Sequence, residues 1–396
     1  MTRALLASGP TIEAANAYLI VFLAAVATTF LATPLVRRFV VRIGAIDQPS
    51  DRKVHPAPTP TMGGLAMFAG FVVAFGCSRL LPFFSEMNAK SSEPFAALVT
   101  CTLMVGLGIV DDKRGTSALA KLTAQIFIGG VLVLLGVQVS YFYLPGAGIV
   151  NVSSDLAVPL TIVWVVAVCN AVNLIDGLDG LAAGMVGIAA TAFFAYMVRS
   201  PSVFGLASTA ALFSAVTAGI CLGFLPWNFN PAKIFMGDSG SMLLGMLLSI
   251  ATISGAARNQ LPPSGGDLAV IAIPILTPLL VLAIPFLDVV LAIFRRVRRG
   301  QGIGHADKEH LHHRLMDMGH SHRRAVLLMY LWTALIAVSG LAVGFINGRL
   351  PVGLIMLAAV ALFLATALPR LTEGRGNGDP PVGGGDAPQA PSPAER

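Results

Sequence analysis

The chain has 396 residues, of which 55% are hydrophobic and only 12% charged, and its mean hydropathy is +0.78. Soluble domains carry about 25% charged residues, so the composition excludes an ordinary water-soluble protein and puts most of the chain in lipid. The net charge of +6 comes with basic residues gathered mainly on one side of the spanning pattern, where they meet anionic headgroups, and it does not imply nucleic acid.

A helix needs roughly 20 apolar residues to cross a hydrocarbon core of about 30 Å. In chain order, such stretches fall at 18–36, 62–81, 94–110, 119–137, 156–168, 181–198, 207–225, 241–255, 268–294, 325–345 and 351–368. The fifth and eighth are short. The expected fold is therefore all-α, a polytopic transmembrane helical bundle of about 11 spans. The first stretch has no small-residue cleavage pattern behind a basic start and reads as a retained helix. Residues 1–370 are expected to form one transmembrane domain, and 371–396, rich in Gly, Pro and Asp, a disordered tail. Cys77, Cys101, Cys169 and Cys221 fall in or beside apolar stretches without CxxC spacing, so they read as small core residues.

Cytoplasmic loops of membrane proteins carry the excess of Lys and Arg. With eleven spans and an external N-terminus, one face receives 20 of the 26 basic residues, and Arg3, Arg79, Lys90, Arg199, Arg258 and Arg349 remain on the other. This split predicts a cytoplasmic C-terminus. The acids and amides fall on the same side: Asp111 and Asp112 close the third span, Asn170, Asn173, Asp176 and Asp179 follow the fifth, and Asn228 and Asp238 follow the seventh. The stretch 295–324 adds six of the seven histidines.

Each motif has a bland reading beside the chemical one. Asp111-Asp112 could be a solvated helix end, yet adjacent like charges at a membrane repel unless a cation or a phosphate uses them. The acids and amides at 170–179 recur every three residues, which on a helical turn puts them roughly on one face; the alternative is a polar loop with glycine turns. Asp238 stands before an apolar helix, where capping is the simple explanation, and free N–H groups at that helix start would also favour an anion such as pyrophosphate. His310, His312 and His313 could lie on a surface loop, and no nearby cysteine completes a zinc set. Together, carboxylates, amides, histidines and a few cations on one face suit a phosphorylated substrate held through a hard divalent cation.

Five ordered motifs carry a resemblance: R-K-V-H-P-A-P-T-P-T-M-G-G, D-D-K, N-A-V-N-L-I-D-G-L-D-G, P-W-N-F-N-P-A-K-I-F-M-G-D-S-G-S and H-A-D-K-E-H-L-H-H-R-L. The set resembles the polyprenyl-phosphate N-acetylhexosamine-1-phosphate transferases. H-L-H-H-R-L is similar to the WecA/TagO-like branch, which uses UDP-N-acetylglucosamine, and the general look is similar to actinobacterial decaprenyl-phosphate members. The MraY branch, acting on UDP-MurNAc-pentapeptide, typically has three consecutive histidines followed by Phe-Glu, whereas here Leu311 interrupts the run and Arg314 follows it.

The resemblance implies transfer of a sugar-1-phosphate from the UDP-sugar to a polyprenyl phosphate at the cytoplasmic face of the cell membrane, with release of UMP. It implies Asp111 and Asp112 beside the attacking lipid phosphate, and Asp238 with Asn173 or Asp176 on Mg2+, or Mn2+ in its place. Lys121, Asp179 and Asn228 would contact the nucleotide, His310, His312, His313 and Arg314 the sugar and diphosphate, with Lys53 and His55 helping. A homodimer is compatible with it. The alternatives are an MraY-like transferase, an ion-coupled transporter and a non-catalytic membrane scaffold, the last of which would not need so many carboxylates on one face. Transporters keep their ionisable groups near the membrane midplane between repeats, whereas these acids lie at span ends and no clear repeat is present.

Overall fold

The computed structural model describes residues 12–48, 58–144, 148–199, 205–256 and 321–345, with isolated positions between 353 and 361. The helices, in chain order, are α1 (Ile12–Arg42), α2 (Gly64–Leu80), α3 (Ser85–Lys90), α4 (Glu93–Arg114), α5 (Ala118–Leu134), α6 (Ser154–Ile175), α7 (Leu181–Arg199), α8 (Thr209–Asn228), α9 (Gly237–Ala256) and α10 (His322–Phe345). Two short antiparallel pairs join them: β1 (Ile46–Asp47) with β2 (Thr59–Pro60), and β3 (Tyr141–Leu144) with β4 (Gly148–Asn151).

Among the described residues, six helices are long and apolar enough to cross a membrane, or seven if the sharply bent α2 and Pro82–Lys90 form one span. This is a multi-pass membrane architecture. The first eight expected spans and the tenth coincide with helices, while 268–294 and nearly all of 351–368 lie outside the described residues, as does the tail from 371. The two stretches expected to be short need correction. The fifth runs on to Ile175 as α6, and the eighth starts at Gly237 as α9. Polar residues at those ends stay helical because neighbouring helices satisfy their side chains.

The bundle is built around α8 and α9. Of the apolar stretch of α8, 83% is buried, against 22% for α1, so α8 is central and α1 peripheral. Helix α8 packs on α7, α1, α9 and α2, and α9 packs on α4, α6, α8 and α2. Lipid supplies no hydrophobic drive for association between helices, so close packing through small residues must supply it. Buried Ala182, Ala183, Ala189 and Ala190 on α7, and Ala210, Ala211 and Ala215 on α8, provide such faces. Several hydroxyls in the apolar interior are satisfied within their own helices: Thr100 donates to the Ala96 carbonyl at 2.7 Å and Thr217 to that of Phe213 at 2.6 Å.

One end of the bundle gathers the last turns of α4, α6 and α8 and the first turns of α5 and α9. There the strand β2 is tied to the loop before α9, with Phe235 N donating to Pro60 O at 2.8 Å and Gly64 N to Met236 O at 2.9 Å. The C-terminal flank of the first motif thereby meets the fourth.

Candidate active site

Asp238 lies in the first turn of α9, and two glycines bring it to its partners. Gly108 of α4 lies against that turn so closely that a Cβ there would fall 2.4 Å from Ser239 Cα. Gly237 has φ +67°, a left-handed conformation suited to glycine, and a Cβ on it would sit 2.5 Å from Asp112 Oδ1.

Asp111 and Asp112 end α4 together, but successive helical positions do not share a face, and the two carboxylates turn to different partners. Asp112 caps α9. Its Oδ1 accepts from Asp238 N at 2.8 Å, and its Oδ2 from Ser239 N at 3.1 Å and Ser239 Oγ at 2.8 Å. The expectation that free N–H groups of this helix start would bind pyrophosphate is thus corrected for Asp238 and Ser239, whose N–H groups Asp112 already occupies.

Asp111 points the other way. Its Oδ1 accepts from Thr116 N at 2.6 Å and Thr116 Oγ1 at 2.5 Å, after a turn in which Gly115 N bonds to Asp111 O at 2.8 Å. Its Oδ2 pairs with Lys121 of α5. The same ammonium pairs with Asp238 Oδ2. Asp238 Oδ1 accepts from Asn173 Nδ2 at 2.6 Å, and Asn173 Nδ2 also lies 3.0 Å from Ser241 Oγ. Four helices, α4, α5, α6 and α9, therefore converge on two carboxylates and one ammonium. The side chains are largely buried, at 8% exposure for Asp111, 19% for Lys121 and 25% for Asp238.

Asp176 follows α6 and is half-buried. Burial, together with the charges of Asp238, Asp112 and Asp179, pushes its carboxyl well above the usual carboxylate range. The three-residue repeat does not stay on one face: α6 ends at Ile175, so Asn170 and Asn173 are helical while Asp176 and Asp179 are not. Asn170 Nδ2 donates to buried Gln125 Oε1 at 2.7 Å, deeper in the bundle. Asp179 Oδ2 accepts from Asn230 Nδ2 at 2.8 Å and Ala232 N at 3.0 Å. Asn228 is 1% exposed; it accepts from Gly180 N and donates to Ile234 O, both at 3.1 Å. In this conformation Asn228 clips two loops together with both ends of its amide. Lys53, His55, His310, His312, His313 and Arg314 lie outside the described residues.

Thr116, Ser239 and Ser241 are part of the site without having been singled out in the sequence. Only the position of Ser239 and Ser241 in G-D-S-G-S hinted at them, and Thr116 had no signal beyond its nearness to Asp111-Asp112.

Among the described residues no three His, Cys, Asp or Glu side chains form a metal cage. The donor set nevertheless fits a hard divalent cation of the magnesium kind, which takes one or two carboxylates and completes its shell with water and substrate phosphate. Asp111 and Asp238 offer two such oxygens to one point.

Residues 94–256 match the model of glycosyl transferase family 4. The chain is 41% identical over 91% of its length to a decaprenyl-phosphate N-acetylglucosaminephosphotransferase of Mycobacterium tuberculosis, covering 91% of that protein, and 42% identical over 89% to the Mycobacterium leprae protein of the same name, covering 90% of it. It is 29% identical over 77% of its length to an undecaprenyl-phosphate alpha-N-acetylglucosaminyl 1-phosphate transferase of Escherichia coli, covering 78% of that chain. With this similarity extending across nearly the whole chain, and the acidic residues of its motifs meeting at one end of an apolar bundle, the protein belongs to the WecA/TagO-like polyprenyl-phosphate N-acetylglucosamine-1-phosphate transferases of glycosyl transferase family 4.

Proposed function

We propose that the chain transfers N-acetylglucosamine-1-phosphate from UDP-N-acetylglucosamine to a polyprenyl phosphate, undecaprenyl or decaprenyl, as the first membrane step of a cell-wall or surface polysaccharide. The carrying observation is the meeting of Asp111, Lys121 and Asp238 at the helix ends of an apolar bundle, in a chain 41% identical to a protein named for this chemistry. An oxygen of the lipid phosphate forms a bond to the sugar-bearing phosphorus, the bridging P–O bond to the nucleotide phosphate breaks, and UMP leaves with that electron pair.

This chemistry asks chiefly for positioning and charge neutralisation. A phosphate monoester is already largely ionised at neutral pH, so the acceptor needs orientation more than a strong base. Asp111, anchored by Thr116, is the side chain we assign to the reacting centre. Asp112 acts one step back by holding the backbone of Asp238. Asp238, steadied by Asn173, would hold Mg2+ together with Asp111, with Asp176 nearby. The cation would neutralise diphosphate charge. Following the motif order, we assign Lys53, His55, Asp179 and Asn228 to the nucleotide side, the last two through the loops they fix, and His310, His312, His313 and Arg314 to the sugar and diphosphate. The 20-to-6 distribution of basic residues supports eleven spans with this site on the cytoplasmic face.

The test is reconstitution of the purified chain with labelled UDP-N-acetylglucosamine or UDP-MurNAc-pentapeptide, each polyprenyl phosphate and Mg2+. A diphosphate-linked N-acetylglucosaminyl lipid formed with one UMP per product is expected. Release of UDP would overturn the reaction type, and product mainly from the muramyl donor would overturn the donor.

A further inference from the structure

We propose that the Lys121 ammonium is a built-in counter-ion that keeps the place of the divalent cation between Asp111 and Asp238, and that the cation expels it on binding. The inference rests on the cation-dependent reading above. Its observation is a symmetry in how the two carboxylates are used. Each is anchored through Oδ1 by neutral donors, Thr116 for Asp111 and Asn173 for Asp238, and each presents Oδ2 to Lys121. Two oxygens from two helices are thus aimed at one point, and the positive group there is a lysine from a third.

Lys121 stands against the electrostatics of its own helix and is held there by the two carboxylates. It lies at the start of α5, whose N-cap Ser117 accepts from Ala120 N at 3.2 Å, and a cation at a helix N-terminus opposes the helix dipole. The carboxylates offset that cost. One ammonium nevertheless leaves a net charge of −1 on the three groups, whereas a divalent ion in its place would leave none. Attraction to each carboxylate also doubles with the charge at equal distance. Because both cations would use the same two oxygens, they exclude each other. In the substrate-free chain, cation binding must then be weakened by the fraction of sites that Lys121 occupies. The arriving donor changes this balance, since its diphosphate supplies both further oxygens for the cation and a negative partner for the expelled ammonium.

The test measures Mn2+ binding to the full-length chain in lipid nanodiscs without nucleotide, by the loss of the free-ion EPR signal. Lys121→Met should tighten binding at least about tenfold, Lys121→Arg should not, and Asp238→Asn should abolish it in both the native and Lys121→Met backgrounds. Equal affinity in the native chain and Lys121→Met, with binding still lost in Asp238→Asn, overturns the counter-ion and leaves the cation site standing. Binding indifferent to Asp238→Asn overturns both. A second readout needs no variant: mass spectrometry of the native chain should find Lys121 labelled by an amine-reactive reagent slowly without cation and faster in saturating Mn2+. Labelling that stays the same or slows as Mn2+ binds also overturns the proposal.

Discussion

Asp111 and Asp112 are neighbours of one chemical type, yet the fold gives them different work, and substitution should separate them. Removing the Asp112 carboxylate leaves the N–H groups of Asp238 and Ser239 without their acceptor, a capping loss of about 1–2 kcal/mol. Asp112→Ala should therefore lower thermal stability and turnover together, and Asp112→Asn, which keeps an oxygen acceptor, should recover part of both. Asp111→Asn keeps an acceptor for Thr116 but loses the charge. We expect it to melt near the native temperature while UMP release falls about 10²-fold or more. Melting curves and UMP release on the same preparations check the pair; equal loss of stability in both alanine-free variants would undo the division of labour. For Asp238→Asn the expected result is a folded chain without Mg2+-dependent turnover, and full turnover would exclude Asp238 as an essential ligand.

At the scale of elements, the site depends on how closely α4 approaches the start of α9. Gly108→Ala puts a methyl group into Ser239 backbone, where neither helix has a flexible side-chain tip to move aside. Overpacking of this kind costs about 1–3 kcal/mol, and the shift needed to relieve it moves Asp238. We expect Gly108→Ala to lose activity out of proportion to its fall in melting temperature. Gly106→Ala is the control: on the same helix nothing lies within 4 Å of the added carbon, and Ala is the better helix former by about 1 kcal/mol. Activity retained in Gly108→Ala would mean that the close approach is not needed for catalysis. The same contact explains a feature that could not be read from the chain. Nothing in V-G-L-G-I-V-D-D distinguishes Gly108 from Gly106, because the difference lies in which one faces α9.

For the whole molecule, the prediction concerns sidedness. If the basic residues report orientation, a reporter fused after Leu371 will read cytoplasmic and one at the N-terminus will read external. Finding both in one compartment would remove the eleven-span arrangement. Removal of divalent cations with EDTA should abolish turnover and added Mg2+ should restore it, as measured by UMP release; activity undiminished by the chelator would remove the cation from the mechanism.

Apolar run length and composition alone determined that this chain builds apolar helices with the acids of its motifs at or beyond their ends, because an unpaired charge within hydrocarbon is too costly to be placed casually. The motifs also marked the segments near 60, 111–112, 170–179 and 228–241, which meet, while the histidine motif lies outside the described residues. They did not tell what each polar group would do on meeting. Asn173 and Asp238 stand 65 residues apart and Asp112 and Ser239 stand 127 apart, so their pairing is a property of helix packing. The apparent shortness of α6 had the same origin: an amide seems to end an apolar stretch until Gln125 is brought alongside Asn170. Only the tertiary structure decided that Asp112 caps, that Asp111 faces inward, and that Lys121 stands between two carboxylates, since each depends on the rotation of one helix against another, which local sequence does not encode.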